Sequence, residues 1–251
     1  MISKPVHSEP LRHLDGILAD DEVHVWQVDL VAWEKDAGSL FELLNPEERE
    51  RAARFKFPAP RNQFVISRAL LRRALGAYLR MDAREVRFRT SGNGKPELAV
   101  GSDLRFNLSH TQGATVFAVA RHRQVGVDVE RIREDTNAME LAERFFSRPE
   151  IEWLQSQPAS DLLASFFSCW TAKEAYIKAQ GEGLSLPLGS FGVLPVPGGC
   201  ELRLLVYDDP EESKRWSMWR LDLGVGLRGA IAVEGASCRV RLGQGPAMLT
   251  R

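Results

Sequence analysis

The chain is predicted to be an α+β protein of two similar α/β lobes, with a ligand cleft between them. Three observations predict it. Asn45-Pro46-Glu47, a helix start, leads to RALLRRAL at 68–75, and Ser147-Arg148-Pro149-Glu150 leads in the same way to KEAYIKA at 173–179. The two prolines are 149 − 46 = 103 residues apart, and Arg68 and Lys173 are 173 − 68 = 105 apart. In both halves the helices then give way to strand-like stretches. The boundary is expected near 122, giving lobes of residues 1–122 and 123–251.

Residues 1–20 read as a loosely attached polar lead-in. Val23–Leu30 (VHVWQVDL) alternates well enough for a strand. Asn45 as N-cap, Pro46 at the first helical position and two acids in the first turn open a basic helix, Glu47–Phe57. After Pro58 and Pro60 break the pattern, Arg61–Leu79 forms a second helix, with Phe64, Leu70, Leu71 and Leu75 on its core face. From Glu85 the texture changes. Val86–Arg89, a Gly-rich turn at Ser91–Pro96, Leu104–Leu108, Ala114–Ala120 and Val125–Val129 read as strands and turns, the last two joined by Arg121–Gln124 as a hairpin. Helices are expected over Thr136–Arg144 and from Ser147. Phe166–Pro187 holds another helix, with Phe166, Trp170 and Ile177 as its apolar stripe, ended by Gly181 and Gly183. Ser190–Leu194, Glu201–Tyr207, Trp216–Asp222 and Leu227–Val233 are strands, and the last ten or so residues read as a tail.

Composition narrows the function classes. Apolar residues at 44 % and charged residues at 27 % describe an ordinary globular protein. A formal charge of −1 argues against wrapping nucleic acid by bulk electrostatics. The three cysteines, Cys169, Cys200 and Cys238, show no C-x-x-C spacing, so neither a disulfide framework nor a zinc knuckle is expected. The first residues lack an apolar signal region, and no run approaches the ~18 apolar residues of a membrane span. A cytoplasmic protein without membrane or nucleic-acid partners is expected.

Several residues could carry chemistry. In Val125-Gly126-Val127-Asp128-Val129-Glu130, strand alternation turns the valines inward and sets Asp128 and Glu130 on the other face. Their Cα atoms are then ~6.6 Å apart, close enough for both carboxylates to meet one hard cation. Glu174 borders its helix stripe and could supply a third carboxylate. Three carboxylates, with phosphate or water oxygens in the remaining positions, suit Mg²⁺ on a phosphate-bearing substrate. Glu174 and Lys178 are also spaced i,i+4, and a solvated surface pair is the plainer reading. Ser109, His110 and Thr111 end a strand with Phe106 and Leu108 inward, where hydroxyls and an imidazole could meet a phosphate. Gly92-Asn93-Gly94-Lys95-Pro96 offers close backbone approach and one ammonium. The histidines form no zinc-binding spacing.

GKPEL, FNLSHT, GVDVE, RFFS-x-x-E and WTAKEAYIKAQGEGL, in that order between about Asn45 and Phe191, resemble the 4′-phosphopantetheinyl transferases, in their larger pseudodimeric class. The resemblance implies two α/β lobes with the active site between them. It also implies transfer of the phosphopantetheine arm of coenzyme A to a serine of an apo carrier protein, acyl, aryl or peptidyl, with release of adenosine 3′,5′-bisphosphate. The enzyme would work as a monomer and require Mg²⁺, with Mn²⁺ as a substitute. Asp128, Glu130 and Glu174 are then the metal carboxylates. Ser109 and His110 meet the 3′-phosphate, with Arg51, Arg61 and Arg68 in support. Lys178 holds the diphosphate, Lys173 flanks it, and Lys95 and Pro96 line the adenine pocket. Glu174 is the first candidate for the base that accepts the serine proton, directly or through a metal-bound water, and Glu150 the second. Residues 145–169, rich in Phe and Leu, are the expected carrier-docking surface, with core packing as the alternative. A coenzyme A-binding module without transfer activity and a Mg²⁺-dependent phosphodiesterase are the competing functions.

Overall fold

Two open β-sheets pack face to face, and each carries one long helix on its outer side. The computed structural model describes residues 18–90, 92, 94–99, 101–181 and 186–245. Most of the expected lead-in, Ser91, Asn93, Gly183 and the end of the expected tail lie outside the described residues. The first sheet has strand order β11-β1-β5-β4, with β1 Glu22–Asp29, β4 Leu104–Thr111, β5 Ala114–Arg121 and β11 Arg239–Gln244. The second has order β6-β10-β9-β8-β7, with β6 Val125–Arg131, β7 Phe191–Pro195, β8 Glu201–Val206, β9 Trp216–Leu221 and β10 Leu227–Glu234. A short hairpin pairs β2 Phe88–Thr90 with β3 Pro96–Leu98.

Residue alternation builds the layers. On β1, Val23 and Val25 face the second sheet, where they meet Val125, Val127, Val129, Ile231 and Val233. Trp26 and Val28 face outward against helix α3 (Pro58–Leu79), whose Ile66, Leu70 and Leu75 close the first lobe's core. β1 is therefore buried on both faces. Helix α6 (Leu162–Gln180) covers the second sheet, where Ala172, Tyr176 and Ile177 pack against Phe191, Trp216 and Met218. The layer order is helix, sheet, sheet, helix, with apolar side chains filling each gap.

Three details differ from expectation. The break between the two helices falls earlier than expected, at residues 54–57, and Pro58 and Pro60 lie in the first turn of α3, whose amides have no intrahelical acceptor. The first such bond runs from the Arg61 amide to the Phe57 carbonyl. Arg121–Gln124 is not a hairpin turn. β5 pairs with β1 and β4, whereas β6 pairs with β10, so the chain passes there from one sheet to the other, with His122 at φ 55°. Finally, residues 239–244 are a strand, not part of a tail, and β11 runs parallel to β1 in the first sheet. A cut at 122 therefore does not divide the strands cleanly between lobes.

The remaining helices are short: α1 Ala37–Phe41, α2 Pro46–Ala53, α4 Ala138–Phe145, α5 Arg148–Gln155 and α7 Pro210–Arg215. The repeat seen in the sequence recurs as one device in both lobes. Glu48, third residue of α2, accepts from the Asn45 amide at 3.1 Å while the Glu48 amide donates to Asn45 Oδ1 at 2.8 Å. The same buried carboxylate takes Arg68 Nε at 2.8 Å and Arg72 Nε at 2.7 Å from α3. In the second lobe Glu150, third residue of α5, accepts from the Ser147 amide at 2.8 Å and takes Lys173 of α6 at 2.7 and 2.9 Å. In each lobe one acid caps a short helix and pins it to the long one.

His24 gives the first lobe an acid sensitivity. It is 1 % exposed on β1, and its Nδ1 lies 2.7 Å from the Tyr78 hydroxyl, which accepts from Trp26 Nε1 at 3.0 Å. The hydroxyl keeps its own proton to donate, and a neutral ring can accept it at Nδ1. Burial lowers the His24 pKa from 6.5 to about 4. Between these values the unfolded chain binds the extra proton, so stability is full above pH 6.5 and declines toward pH 4, by on the order of 3 kcal/mol. Chemical unfolding followed from pH 7 to 5 should show that decline, and His24→Asn should flatten it.

Candidate active site

The site is built where α6 lies against β6. On β6 the valines point into the sheet–sheet core, and Gly126, Asp128 and Glu130 point toward α6. Gly126 is the point of contact: a Cβ there would lie 2.1 Å from the Ala175 carbonyl oxygen and 2.3 Å from the Ala179 amide nitrogen. The helix meets the strand through small residues, which brings Glu174 and Lys178 alongside Asp128 and Glu130.

Asp128 is 4 % exposed. Its Oδ1 accepts from Lys178 Nζ at 2.6 Å and from Ser109 Oγ at 2.7 Å. Its Oδ2 is buried and has no hydrogen-bond partner. Glu130 accepts a long bond from the Thr111 hydroxyl at 3.4 Å. Burial raises the pKa of Glu130, and the Asp128 charge adds to it. Glu174 is raised by burial as well, then by Asp128. Three half-buried or buried carboxylates thus repel one another across one small space, partly offset by the Lys178 ammonium and, at Glu130, by Arg133. Among the described residues no three His, Cys, Asp or Glu side chains converge tightly enough to form a ready-made cage for a metal ion.

Lys178 does not pair with Glu174, its i,i+4 neighbour, as the surface-pair reading expects. It reaches across to Asp128 and also donates to Ser109 Oγ at 3.0 Å. Ser109, expected at a phosphate, is instead spent within the protein. It donates to Asp128, and its two lone pairs take Lys178 and, at 3.4 Å, the Val129 amide. His110, next on the strand, points to the opposite face and is exposed.

Glu150 and Lys173 do not belong to the cleft. Glu150 is 0 % exposed, and its oxygens are taken by Lys173, Ser147, the Val193 amide at 2.8 Å and Cys169 Sγ at 3.4 Å. No lone pair is left to collect a substrate proton. Lys173, also 0 % exposed, gives its ammonium to Glu150 and to the Phe191 carbonyl at 2.7 Å. The pair holds α6 at a fixed rotation, with Glu174 on its cleft side.

Of the basic residues expected at a phosphate, Arg68 is committed to Glu48 and lies over the Phe88 ring at 4.6 Å. Burial lowers its pKa, and Arg51 lies near enough to add to that. Arg51 and Arg61 are exposed, resting on Phe64 at 5.0 Å and Phe41 at 5.4 Å. Arg72, not anticipated as part of this group, shares Glu48. Its recurrence at i,i+4 from Arg68 was the available signal. Lys95 Nζ donates to the Val125 carbonyl at 3.1 Å and the Ala179 carbonyl at 3.3 Å, and burial brings its pKa down to about 8. Lys95 and Pro96 line a cavity of about 200 Å³ with Arg89, Leu98 and Phe106, and Lys95 also borders one of about 320 Å³ beside Gly181 and Trp216. In the segment 145–169, Phe146, Leu154, Phe166 and Phe167 are buried together, so the core-packing alternative holds for these four.

Comparison with known proteins places this geometry in a family. Residues 28–122 match the model of the 4′-phosphopantetheinyl transferase N-terminal region, and residues 124–232 match the 4′-phosphopantetheinyl transferase superfamily. The two matches meet where the chain passes between sheets. The chain is 41 % identical over 171 residues to the 4′-phosphopantetheinyl transferase HetI of Nostoc sp., covering 67 % of this chain and 72 % of that one. It is 36 % identical over 182 residues to psf-1 of Bacillus pumilus, covering 70 % and 77 %. With Sfp of Bacillus subtilis it shares 33 % identity over 150 residues, 60 % of this chain and 66 % of that one. The chain belongs to the 4′-phosphopantetheinyl transferase superfamily, in its larger, Sfp-like class.

Proposed function

We propose that the chain moves the phosphopantetheine arm of coenzyme A onto a serine of an apo carrier protein, with Mg²⁺, at the junction of β6 and α6, and releases adenosine 3′,5′-bisphosphate. The observation that carries the cation is the buried, unpartnered Oδ2 of Asp128 beside two carboxyls whose pKa values are raised. An oxygen-only donor set of like charges suits a hard divalent cation. Asp128, Glu130 and Glu174 would hold it, after small side-chain rotations. Bound there, Mg²⁺ supplies positive charge to the diphosphate oxygens.

The chain's own residues do the rest. In this arrangement Lys178 neutralises Asp128, and with a divalent cation held by the three carboxylates its ammonium would be free to turn toward the diphosphate and oppose the charge on the leaving nucleotide. His110 and the exposed Arg51 and Arg61 are the groups left for the 3′-phosphate, since Ser109 and Arg68 are engaged. Lys95 and Pro96 offer the adenine a partly apolar wall. Glu174 is the residue we assign to the serine proton: it borders the cleft, and among the described residues it makes no hydrogen bond. No helix among the described residues is long and apolar enough to cross a membrane, and we place the reaction in the cytoplasm, catalysed by a monomer.

The test is to incubate the protein with coenzyme A, Mg²⁺ and an apo carrier protein and weigh the carrier. A gain of one phosphopantetheine is expected, and chelation of Mg²⁺ should prevent it. Free nucleotide with an unmodified carrier would mean a phosphodiesterase, and neither product a binding module.

A further inference from the structure

β4 and β6 are edge strands of different sheets, and an edge strand leaves every second amide and carbonyl without a backbone partner. β6 bonds to β10 on one side. Its other edge is met by side chains of the first lobe, rung by rung. Lys95 Nζ donates to the Val125 carbonyl at 3.1 Å. Asn107 Oδ1 takes the Val127 amide at 2.9 Å, Ser109 Oγ the Val129 amide at 3.4 Å, and Thr111 Oγ1 the Arg131 amide at 3.2 Å. The three acceptors stand on alternate residues of β4, on the face opposite Phe106 and Leu108, and each is twenty residues before its donor. Asn107 and Ser109 are 5 % and 6 % exposed, so water does not compete for these amides.

The geometry points to a side-chain ladder that stands in for a backbone ladder between the two sheets, in which Asn107 sets the register of β6 and Ser109 aims the Asp128 carboxylate. Asn107, Ser109 and Thr111 are positioning residues: through them the first lobe decides where the carboxylates of the second lobe stand. A slip of one residue would exchange valines for Asp128 and Glu130 on the α6 side. The Ser109 rung has a second, short bond, its hydroxyl proton on Asp128 Oδ1 at 2.7 Å, which leaves Oδ2 without a partner; Thr111 makes the corresponding bond to Glu130 at 3.4 Å. The inference rests on the proposed role of Asp128 as a cation ligand for its consequence, but not for the ladder itself.

The test compares Ser109→Ala, Ser109→Thr, Asn107→Leu and Asn107→Asp in the full chain. Three quantities are read: Mn²⁺ binding without coenzyme A, by electron paramagnetic resonance; kcat and KM for coenzyme A; and amide hydrogen exchange across residues 125–131. Ser109→Ala is expected to weaken Mn²⁺ binding by about tenfold or more, as loss of a group that orients a metal ligand does. KM for coenzyme A should stay within about twofold, and Ser109→Thr should restore the ion. Asn107→Leu should speed exchange at Val127 and Val129, and Asn107→Asp, which keeps the acceptor, should not. A raised KM for coenzyme A with unchanged Mn²⁺ binding in Ser109→Ala would overturn the inference, because it would place Ser109 on the nucleotide. Unchanged exchange in Asn107→Leu would overturn the ladder. If the parent chain binds no Mn²⁺, the cation reading fails, while the exchange measurement still decides the ladder.

Discussion

Gly126→Ala is expected to lower transfer by at least about 10²-fold while the protein remains folded. The methyl group would stand 2.1 Å from the Ala175 oxygen, 2.3 Å from the Ala179 nitrogen and 2.8 Å from the Ala179 Cα. All three are helix backbone, which cannot rotate away as a side chain does. Either α6 lifts by an ångström or more, or β6 bends, and each outcome separates Glu174 and Lys178 from Asp128 and Glu130. Overpacking of this kind costs about 1–3 kcal/mol of stability, small beside what displaced catalytic groups cost in rate. The check is a pair of measurements on one sample: the unfolding midpoint in denaturant, expected to fall modestly, and single-turnover carrier modification, expected to be nearly lost. Equal activity with lowered stability would mean that the helix–strand contact does not position the site.

Asp128→Ala is the second large effect, a loss of about 10²–10³ in rate or more. It removes the most buried of the three carboxylates and strands two groups that depend on it, Lys178 and Ser109. Asp128→Asn keeps the volume and the Ser109 bond but withdraws the charge. It should therefore remain as stable as the parent and be nearly as inactive as the alanine variant. Transfer assayed over a Mg²⁺ series would show it: near-parental turnover by either variant at any Mg²⁺ concentration would remove Asp128 from the site.

How far the sequence could be read depends on whether a residue's neighbours are local. Asn45-Pro46-Glu47-Glu48 announces its helix because cap, proline and acids act within one turn. Asp209-Pro210-Glu211-Glu212 has the same pattern and starts α7, where Asp209 accepts from the Glu211 and Glu212 amides at 3.1 Å. That helix is legible by the same rule. The strands of the second sheet could be placed to within a residue or two from alternation alone. Partners in space were not legible. Nothing local distinguishes a hairpin at Arg121–Gln124 from a passage between sheets, since both need the same turn.

The site divides along the same line. Asp128, Glu130 and Glu174 could be grouped because strand and helix periodicity set their directions, Lys178 joins them through the family resemblance, and the structure brings the four together. Glu150 and Lys173 could not be told from cleft residues by type or spacing. What decides their role is burial in a pair with each other, and the equivalent acid in the first lobe, Glu48, is answered by arginines instead. The bond from Ser109 to Asp128 is not legible in the sequence, because a serine hydroxyl at a strand end suits a phosphate and a carboxylate equally well.

The parallel pairing of β11 with β1 also bears on how the molecule is made. During synthesis the first sheet leaves the ribosome with β5 and β4 beside β1 but with the opposite edge of β1 bare, from Glu22 to Gln27. That edge waits for β11, the last strand among the described residues. Until Arg239–Gln244 arrives, the nascent chain presents Val23, Val25 and their open backbone to any other extended segment, its own or a neighbour's. The second lobe must therefore fold while its own C-terminal extension is still seeking the first. A released chain that stopped shortly before residue 239 would hold two nearly finished lobes and one unclosed seam.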